Sequence, residues 1–237
     1  MLARRLQPEL MDDPALSQGE HRRALRGLER INRVSGAGAR VWASVKGVLG
    51  RNAALDRDIR LLDVACGSGD VLLDISSRAA AAHVRIVPTA CDFSNEALSA
   101  VRERFAAADI SIQTLRRDVI NDGLGVEDQA FEIVTCSLFL HHLEDDATVS
   151  VLREMARVAR LGVVVSDLRR CRRGIVAAAL AGRVLTRSRV VRVDAVRSAY
   201  NAYSLDELRA LAERAGLRGA VVTPAFPLRM ILTWERA

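Results

Sequence analysis

The strongest constraint on this chain lies in residues 59–166, where short apolar runs alternate with amphipathic helical patterns. Strands and helices in that alternation build a parallel sheet covered on both faces, a doubly wound α/β architecture. Arg60–Ala65 reads as a first strand and a helix opens near Gly69. His83–Cys91 reads as a second strand, with Ser94 capping a helix to about Ala107. Ile110–Leu115 and Phe131–Ser137 are the third and fourth, Asp146–Ala159 is helical, and Leu161–Ser166 is the fifth. Ser204 and Glu207 have capping-box spacing and open a helix to about Ala215, with Gly216 at its C-cap. Val221–Val222 and Met230–Trp234 are the last two strands, joined around a Pro224…Pro227 turn. Ligands of open α/β sheets bind beyond the carboxyl ends of the strands, so the loops there are the candidate functional ones.

Two segments depart from the rhythm. Residues 1–55 form a tail and helical cap ahead of the domain at 56–237. The first dozen residues are polar and predicted to be ill-ordered. Ser17 and Glu20 then open a helix carrying Leu25, Leu28, Ile31 and Val34, Ser35–Gly38 breaks it, and a second helix spans Ala39–Leu49. The cap covers the site or simply packs on the sheet. The other departure is an insertion at about 169–203, with arginines 169, 170, 172 and 173, an alanine-rich helix, and a basic run over Arg187–Arg192. It reads as a lid and specificity element, or as a solvated basic helix.

Composition excludes several classes. The net charge of +6 is nearly all arginine, since Lys46 is the only lysine. It is too modest to argue for nucleic acid, although a basic face can meet an acidic substrate or a membrane. Cys66, Cys91, Cys136 and Cys171 lie far apart, without the spacing of a disulfide framework or zinc site. No metal is expected. The N-terminus never develops the apolar core of a secretory signal, and Gly174–Leu185 is too short to span a bilayer, so a soluble cytoplasmic protein is expected.

The most informative run is Leu61-Leu62-Asp63-Val64-Ala65-Cys66-Gly67-Ser68-Gly69-Asp70, a strand entering a glycine-rich turn that opens a helix. A dinucleotide fingerprint would want a third glycine at position 72, where Leu72 stands. Asp63 suits a cationic amino-acid ligand better than a pyrophosphate. Cys91-Asp92-Phe93-Ser94 ends the second strand, where a carboxylate can accept both ribose hydroxyls or cap the helix. Arg117-Asp118-Val119, after the third strand, can meet an adenine amino group or be an ordinary loop.

On these residues the chain resembles class I S-adenosylmethionine methyltransferases, particularly the small-molecule branch that includes ubiquinone- and menaquinone-biosynthesis methylases. The resemblance covers about Leu61–Asp167, and it implies a Rossmann-like, seven-stranded, mostly parallel sheet with an antiparallel C-terminal pair. It implies S-adenosylmethionine as cofactor. The family's acidic-x-Gly-x-Gly-x-Gly motif falls on Asp63, Ala65, Gly67 and Gly69, with Ala65 replacing the first glycine and Ser68 in the same turn. The resemblance assigns the ribose to Asp92 with Phe93 beside it, the adenine to Asp118 and Val119, and a position facing the cofactor to Ser137. The family's Pro-Gly-Gly turn before the fifth strand is replaced by Ala159-Arg160-Leu161-Gly162, which puts the geometry of that loop in doubt.

A sulfonium methyl is already electrophilic, so the protein must mainly position the acceptor and exclude water. A phenol also needs its proton removed. His141 and His142 follow the fourth strand, and histidine titrates near neutrality, so either can be that base; the alternative is a structural turn. Asp167 ends the fifth strand and either orients the acceptor or pairs with the arginines after it. The expected activity is O-methylation of a small phenolic, quinol or polyketide-like molecule, aromatic, lipophilic or carrier-bound, with C-methylation next. A short-chain dehydrogenase is excluded because Lys46 precedes the first strand and has no Tyr-x-x-x-Lys context. A base-amino methylase would carry Asn/Asp-Pro-Pro-aromatic where Ser137-Leu138-Phe139-Leu140 stands. A non-catalytic cofactor-binding scaffold and an RNA methyltransferase remain as alternatives.

Overall fold

The computed structural model describes residues 3–12, 15–52, 57–186 and 188–236. The 55/56 boundary, Arg187 and the side chains of Leu28, Arg173 and Arg183 lie outside the described residues. The strands are β1 (Ile59–Val64), β2 (Ile86–Asp92), β3 (Gln113–Arg116), β4 (Phe131–Ser137), β5 (Ala159–Leu168), β6 (Val221–Ala225) and β7 (Arg229–Glu235). They form a seven-stranded sheet in the order β3-β2-β1-β4-β5-β7-β6. β1 to β5 are mutually parallel, while β7 runs antiparallel to β5 and β6 antiparallel to β7. The expected doubly wound fold with its antiparallel C-terminal pair is therefore what forms.

The alternation of the strands sorts the core into two layers. Leu61, Ala90, Ile133, Val164 and Ile231 meet helices α2 (Ala37–Arg51), α3 (Asp70–Ala81) and α4 (Asn95–Ala107) on one face. Leu62, Cys91, Val134, Val163 and Leu232 meet α5 (Asp145–Val158) and α8 (Leu205–Arg214) on the other. Local chemistry sets the helix starts. Ser94 accepts from the Ala97 amide, and Ser204 and Glu207 form a complete capping box. No separate turn precedes β5, because Ala159-Arg160-Leu161-Gly162 is already strand. A Cβ on Gly162 would come 2.4 Å from the Trp234 carbonyl oxygen, so β5 and β7 can pair this closely only with glycine there.

Two expectations need correction. The first dozen residues are not ill-ordered where described: residues 3–12 run along helix α7 (Arg189–Asn201), and Leu10–Asp12 is a 3-10 turn. The Gln7 amide donates to Asn201 Oδ1, and the Leu10 and Met11 amides donate to the two Asp194 oxygens. Arg4 stacks 3.7 Å from the Tyr203 ring and donates to the carbonyls of His141, Leu143 and Asn201. The arginine cluster is likewise not wholly solvated. Arg170 is buried, donating to the Ala202 carbonyl and pairing with Glu207 at 2.5 Å.

The insertion folds as α6 (Arg172–Leu185) and α7, and α1 (Gln18–Val34) packs on it through Ala24, Ile31, Val190 and Val191. Val34, read with the apolar stripe of α1, is instead 67% exposed. The positive-φ Gly36 turns the chain from α1 into α2, which begins at Ala37, within the segment expected to be broken. Among the described residues no helix is long and apolar enough to cross a membrane.

Candidate functional site

The turn after β1 holds three left-handed residues, Ala65 (φ 52°), Gly67 (φ 53°) and Gly69 (φ 69°). A Cβ on Gly69 would come 2.9 Å from Val101 Cγ2, so this glycine lets α3 pack against α4. A Cβ on Gly67 would meet nothing within 4 Å, which leaves its backbone open to close approach by a ligand. Ala65 keeps a glycine's conformation at the position where glycine is absent, at a cost of about 1 kcal/mol. Ala65→Gly is therefore expected to raise stability by roughly 0.5–1 kcal/mol in urea unfolding and to leave ligand binding intact. Ser68 is buried in the same turn, and its carbonyl accepts from Arg104, whose guanidinium grips Glu29 of α1 at 2.8 and 2.9 Å.

Directly opposed residues in neighbouring strands share a face. The pairs Asp63↔Thr135, Ser137↔Ser166 and Leu168↔Arg229 therefore put Asp63, Ser137 and Arg229 on the α2–α3 face, and Asp92, two residues beyond Ala90, joins them. Asp63 is 1% exposed and accepts a hydrogen bond from Thr135 Oγ1 at 2.7 Å. Burial, assisted by the nearby Asp70 and Asp92 carboxylates, pushes its carboxyl up to about 7 against the one lowering contact from Thr135. Asp92 is buried and accepts from the Gly67 and Ser94 amides, each at 3.0 Å, which fixes it against the glycine turn. Ser137 Oγ is buried without a hydrogen-bond partner among the described residues.

The remaining expected cofactor residues lie further out. Phe93 is 70% exposed beside Asp92. Asp118 accepts from the Ile120 and Asn121 amides and the Asn121 side chain, hydrogen bonds led by Asn121 that hold its carboxyl below the usual range. Val119 is buried in the core layer of the opposite face.

His141 and Asp167 belong to that opposite side. His141 is 3% exposed and lies in a 3-10 turn, Leu140–His142. Its Nδ1 is 2.6 Å from Asp167 Oδ1, and its Nε2 is 3.6 Å from Glu9 of the N-terminal segment. Burial alone would lower His141, but the Asp167 and Glu9 carboxylates overcome it and push the imidazole up to about 10. Asp167 thus pairs with a histidine, a partner that local reading of the chain did not offer. His142 stacks on His141 at 4.3 Å, with Nε2 3.9 Å from Glu9. Glu9, His141 and His142 bring ligand atoms within 4.8 Å of one another, but both His141 nitrogens are already engaged, one with Asp167 and one with Glu9.

Glu9, Asn32 and Arg229 are the site residues that sequence reasoning missed. Arg229 had one signal, a cation at the head of the apolar run Met230–Leu232.

A doubly wound sheet of this order, with an acidic strand end, a glycine turn and a second acidic strand end, is the architecture of class I S-adenosylmethionine-dependent methyltransferases. The residues present fit such a cofactor: a buried carboxylate without a cation among the described residues and an orphaned buried hydroxyl share one face, beside an open glycine backbone. Residues 61–162 match the family described as a methyltransferase domain.

A ubiquinone biosynthesis O-methyltransferase of Hahella chejuensis is 35% identical over 103 residues, 44% of this chain and 40% of that protein. The chain thus spans well under half the length of the curated relative it matches. The fold is shared with a SAM-dependent methyltransferase from Aquifex aeolicus (TM-score 0.56, 15% identity, 80% of this chain and 88% of that one). It is shared also with the plantazolicin methyltransferase BpumL in complex with a monoazolic desmethylPZN analog and SAH (TM-score 0.65, 12% identity, 92% and 91%).

Proposed function

We propose that this protein transfers a methyl group from S-adenosylmethionine to an oxygen of a small, apolar, phenol-like acceptor. The observation that carries the reading is Asp63, a buried carboxylate with no cation against it among the described residues, beside a glycine turn open to a ligand. Asp63 would hold the cofactor's ammonium group, Gly67 its close-packed backbone contact, and Asp92 its ribose hydroxyls. When bound, that cofactor supplies a sulfonium methyl that needs only an aligned nucleophile.

On the acceptor side, His141 carries a proton at neutral pH and is held by Asp167, so it positions rather than deprotonates. We assign proton removal to its neighbour His142, with Glu9 beside it. The α6–α7 insertion and the N-terminal segment form a common cover, and exposed Val176 and Leu180 on α6 favour a lipophilic acceptor or a lipid surface over a highly charged one. The relative named for ubiquinone biosynthesis O-methylation supports oxygen as the nucleophile.

Calorimetric titration tests the cofactor half. S-adenosylmethionine and S-adenosylhomocysteine should bind saturably and NADH should not; binding of NADH alone would sink the reading. Radiolabelled methyl transfer to a panel of phenols and quinols tests the rest. His142→Gln should lower kcat about 100-fold or more without changing cofactor affinity, and an unchanged kcat would remove His142 from the role.

A further inference from the structure

The mechanism above uses Asp63 and Asp92 but leaves a buried cation unexplained. Arg229 opens β7 and is 3% exposed, on the sheet face that carries Asp63 and Ser137. Its Nη2 donates to Asn32 Oδ1 at 2.8 Å and to Ser35 Oγ at 3.4 Å, both at the end of α1. Its Nη1 is buried with no hydrogen-bond partner among the described residues. No described carboxylate pairs with it directly; Asp70 and Asp167 act on it only at longer range. Burial pushes the guanidinium down to about 10, as expected of a desolvated cation short of a contacting anion.

Two further observations say what belongs there. Asn32 also donates from Nδ2 to Asp70 Oδ2 at 3.0 Å, so it ties Arg229 to the first residue of α3, immediately after the glycine turn. Ser137 Oγ, an orphaned hydroxyl of this face, is offset by two strands and two residues from the Arg229 position. The face thus offers a buried anion at β1 and a buried cation at β7, three strands across and four residues further along, about 20 Å between backbones before the side chains reach inward. An α-amino acid head carries its ammonium and carboxylate on one carbon, and the long Arg229 side chain, tied through Asn32 to Asp70 beside the glycine turn, supplies the cation that its carboxylate needs.

We propose that Arg229 is the anchor for the α-carboxylate of the bound methyl donor, with Asn32 fixing its guanidinium and Ser137 offering a second donor. The assignment rests on the cofactor reading above and adds a subsite to it. A charge-assisted hydrogen bond in a site already stripped of water is a strong one, and making it satisfies a donor that is otherwise costly to bury.

The test is calorimetry on the full chain with S-adenosylmethionine and with its decarboxylated analogue, which keeps the sulfonium, amine and adenosine. Wild type should bind the intact cofactor about 10- to 100-fold more tightly than the analogue. Arg229→Gln should lose that advantage while binding the analogue as wild type does, and Arg229→Lys should restore part of it. Wild type binding both ligands equally overturns the assignment, as does Arg229→Gln weakening both equally. The wild-type comparison decides the matter even if Arg229→Gln fails to fold. Absence of binding by either ligand would instead remove the cofactor reading itself. Benzoate, titrated into wild type and Arg229→Gln, separates the other source of a carboxylate: an Arg229-dependent benzoate site with unaltered cofactor affinity would assign Arg229 to the acceptor and overturn the proposal.

Discussion

Replacing Asp63 with asparagine is expected to weaken S-adenosylmethionine binding about 10- to 150-fold while making the ligand-free protein more stable at pH 8. Both effects come from the same burial. The Asp63 carboxyl is pushed up to about 7 in the fold, from an ordinary aspartate value of 3.8, because its charge is costly to hold out of water. The native state therefore binds a proton more tightly than the unfolded chain between about pH 4 and 7. Ligand-free stability falls as pH rises through that window and stays reduced above it. Asparagine keeps the shape and removes the charge, so melting at pH 8 should rise by several degrees and its slope from pH 4 to 7 should flatten.

A cationic ligand reverses the balance, since it favours the carboxylate. Binding to wild type should release a proton near pH 7, and affinity should fall by up to tenfold per unit as pH drops below that value. Calorimetry in two buffers of different ionisation enthalpy reads the proton directly. An Asp63→Asn protein that binds as wild type does, or melts no higher, would remove Asp63 from the site.

Asp63 stands out in the sequence because its signal is local, a charged residue two positions before a glycine turn in an otherwise apolar strand, and the structure buries it there. The same holds for β4, read as Phe131–Ser137 and found there, and for the caps at Ser17, Ser94 and Ser204. β3 was read as Ile110–Leu115 but pairs only over Gln113–Arg116, because Ile110 and Ile112 pack into the core before the edge strand begins. β2 begins at Ile86 rather than His83, whose φ of 57° belongs to the turn after α3. Periodicity finds apolar residues, and hydrogen-bonded register then decides which of them are strand.

Arg229 and Glu9 were not legible, for a different reason. Arg229 takes its meaning from Asn32, 197 residues away, and Glu9 from a histidine in the turn after β4. Neither contact leaves a spacing in the sequence. Asp167 was singled out by its place at a strand end, but its partner could not be named without the turn that carries His141 back to it.

Substituting His141 with glutamine is expected to cost about 3–5 kcal/mol in stability, since it strands two buried carboxylates that the imidazolium now separates. Glu9 and Asp167 are both held below the usual carboxylate range: burial would raise each, and His141 outweighs it. Their contribution is present above the ordinary carboxylate pKa and disappears as pH falls through their lowered native values. The His141 contribution is complete below about 6.5 and is lost progressively as pH rises through about 10. Wild-type stability should therefore decline between pH 6.5 and 10, and His141→Gln should not share that slope.

The cluster also fastens the N-terminal segment, because Glu9 is its contribution to the ion pair. Glu9→Gln should therefore be milder in global stability and specific in place. Hydrogen exchange at the Gln7, Leu10 and Met11 amides, all bonded to α7 side chains, should accelerate while the amides of β4 and β5 keep their protection. Unchanged exchange at those three positions would mean that Arg4 and Asp194 hold the segment without Glu9. A flat stability profile from pH 6.5 to 10 in wild type would mean that His141 is neutral, and it would then return as a candidate base alongside His142.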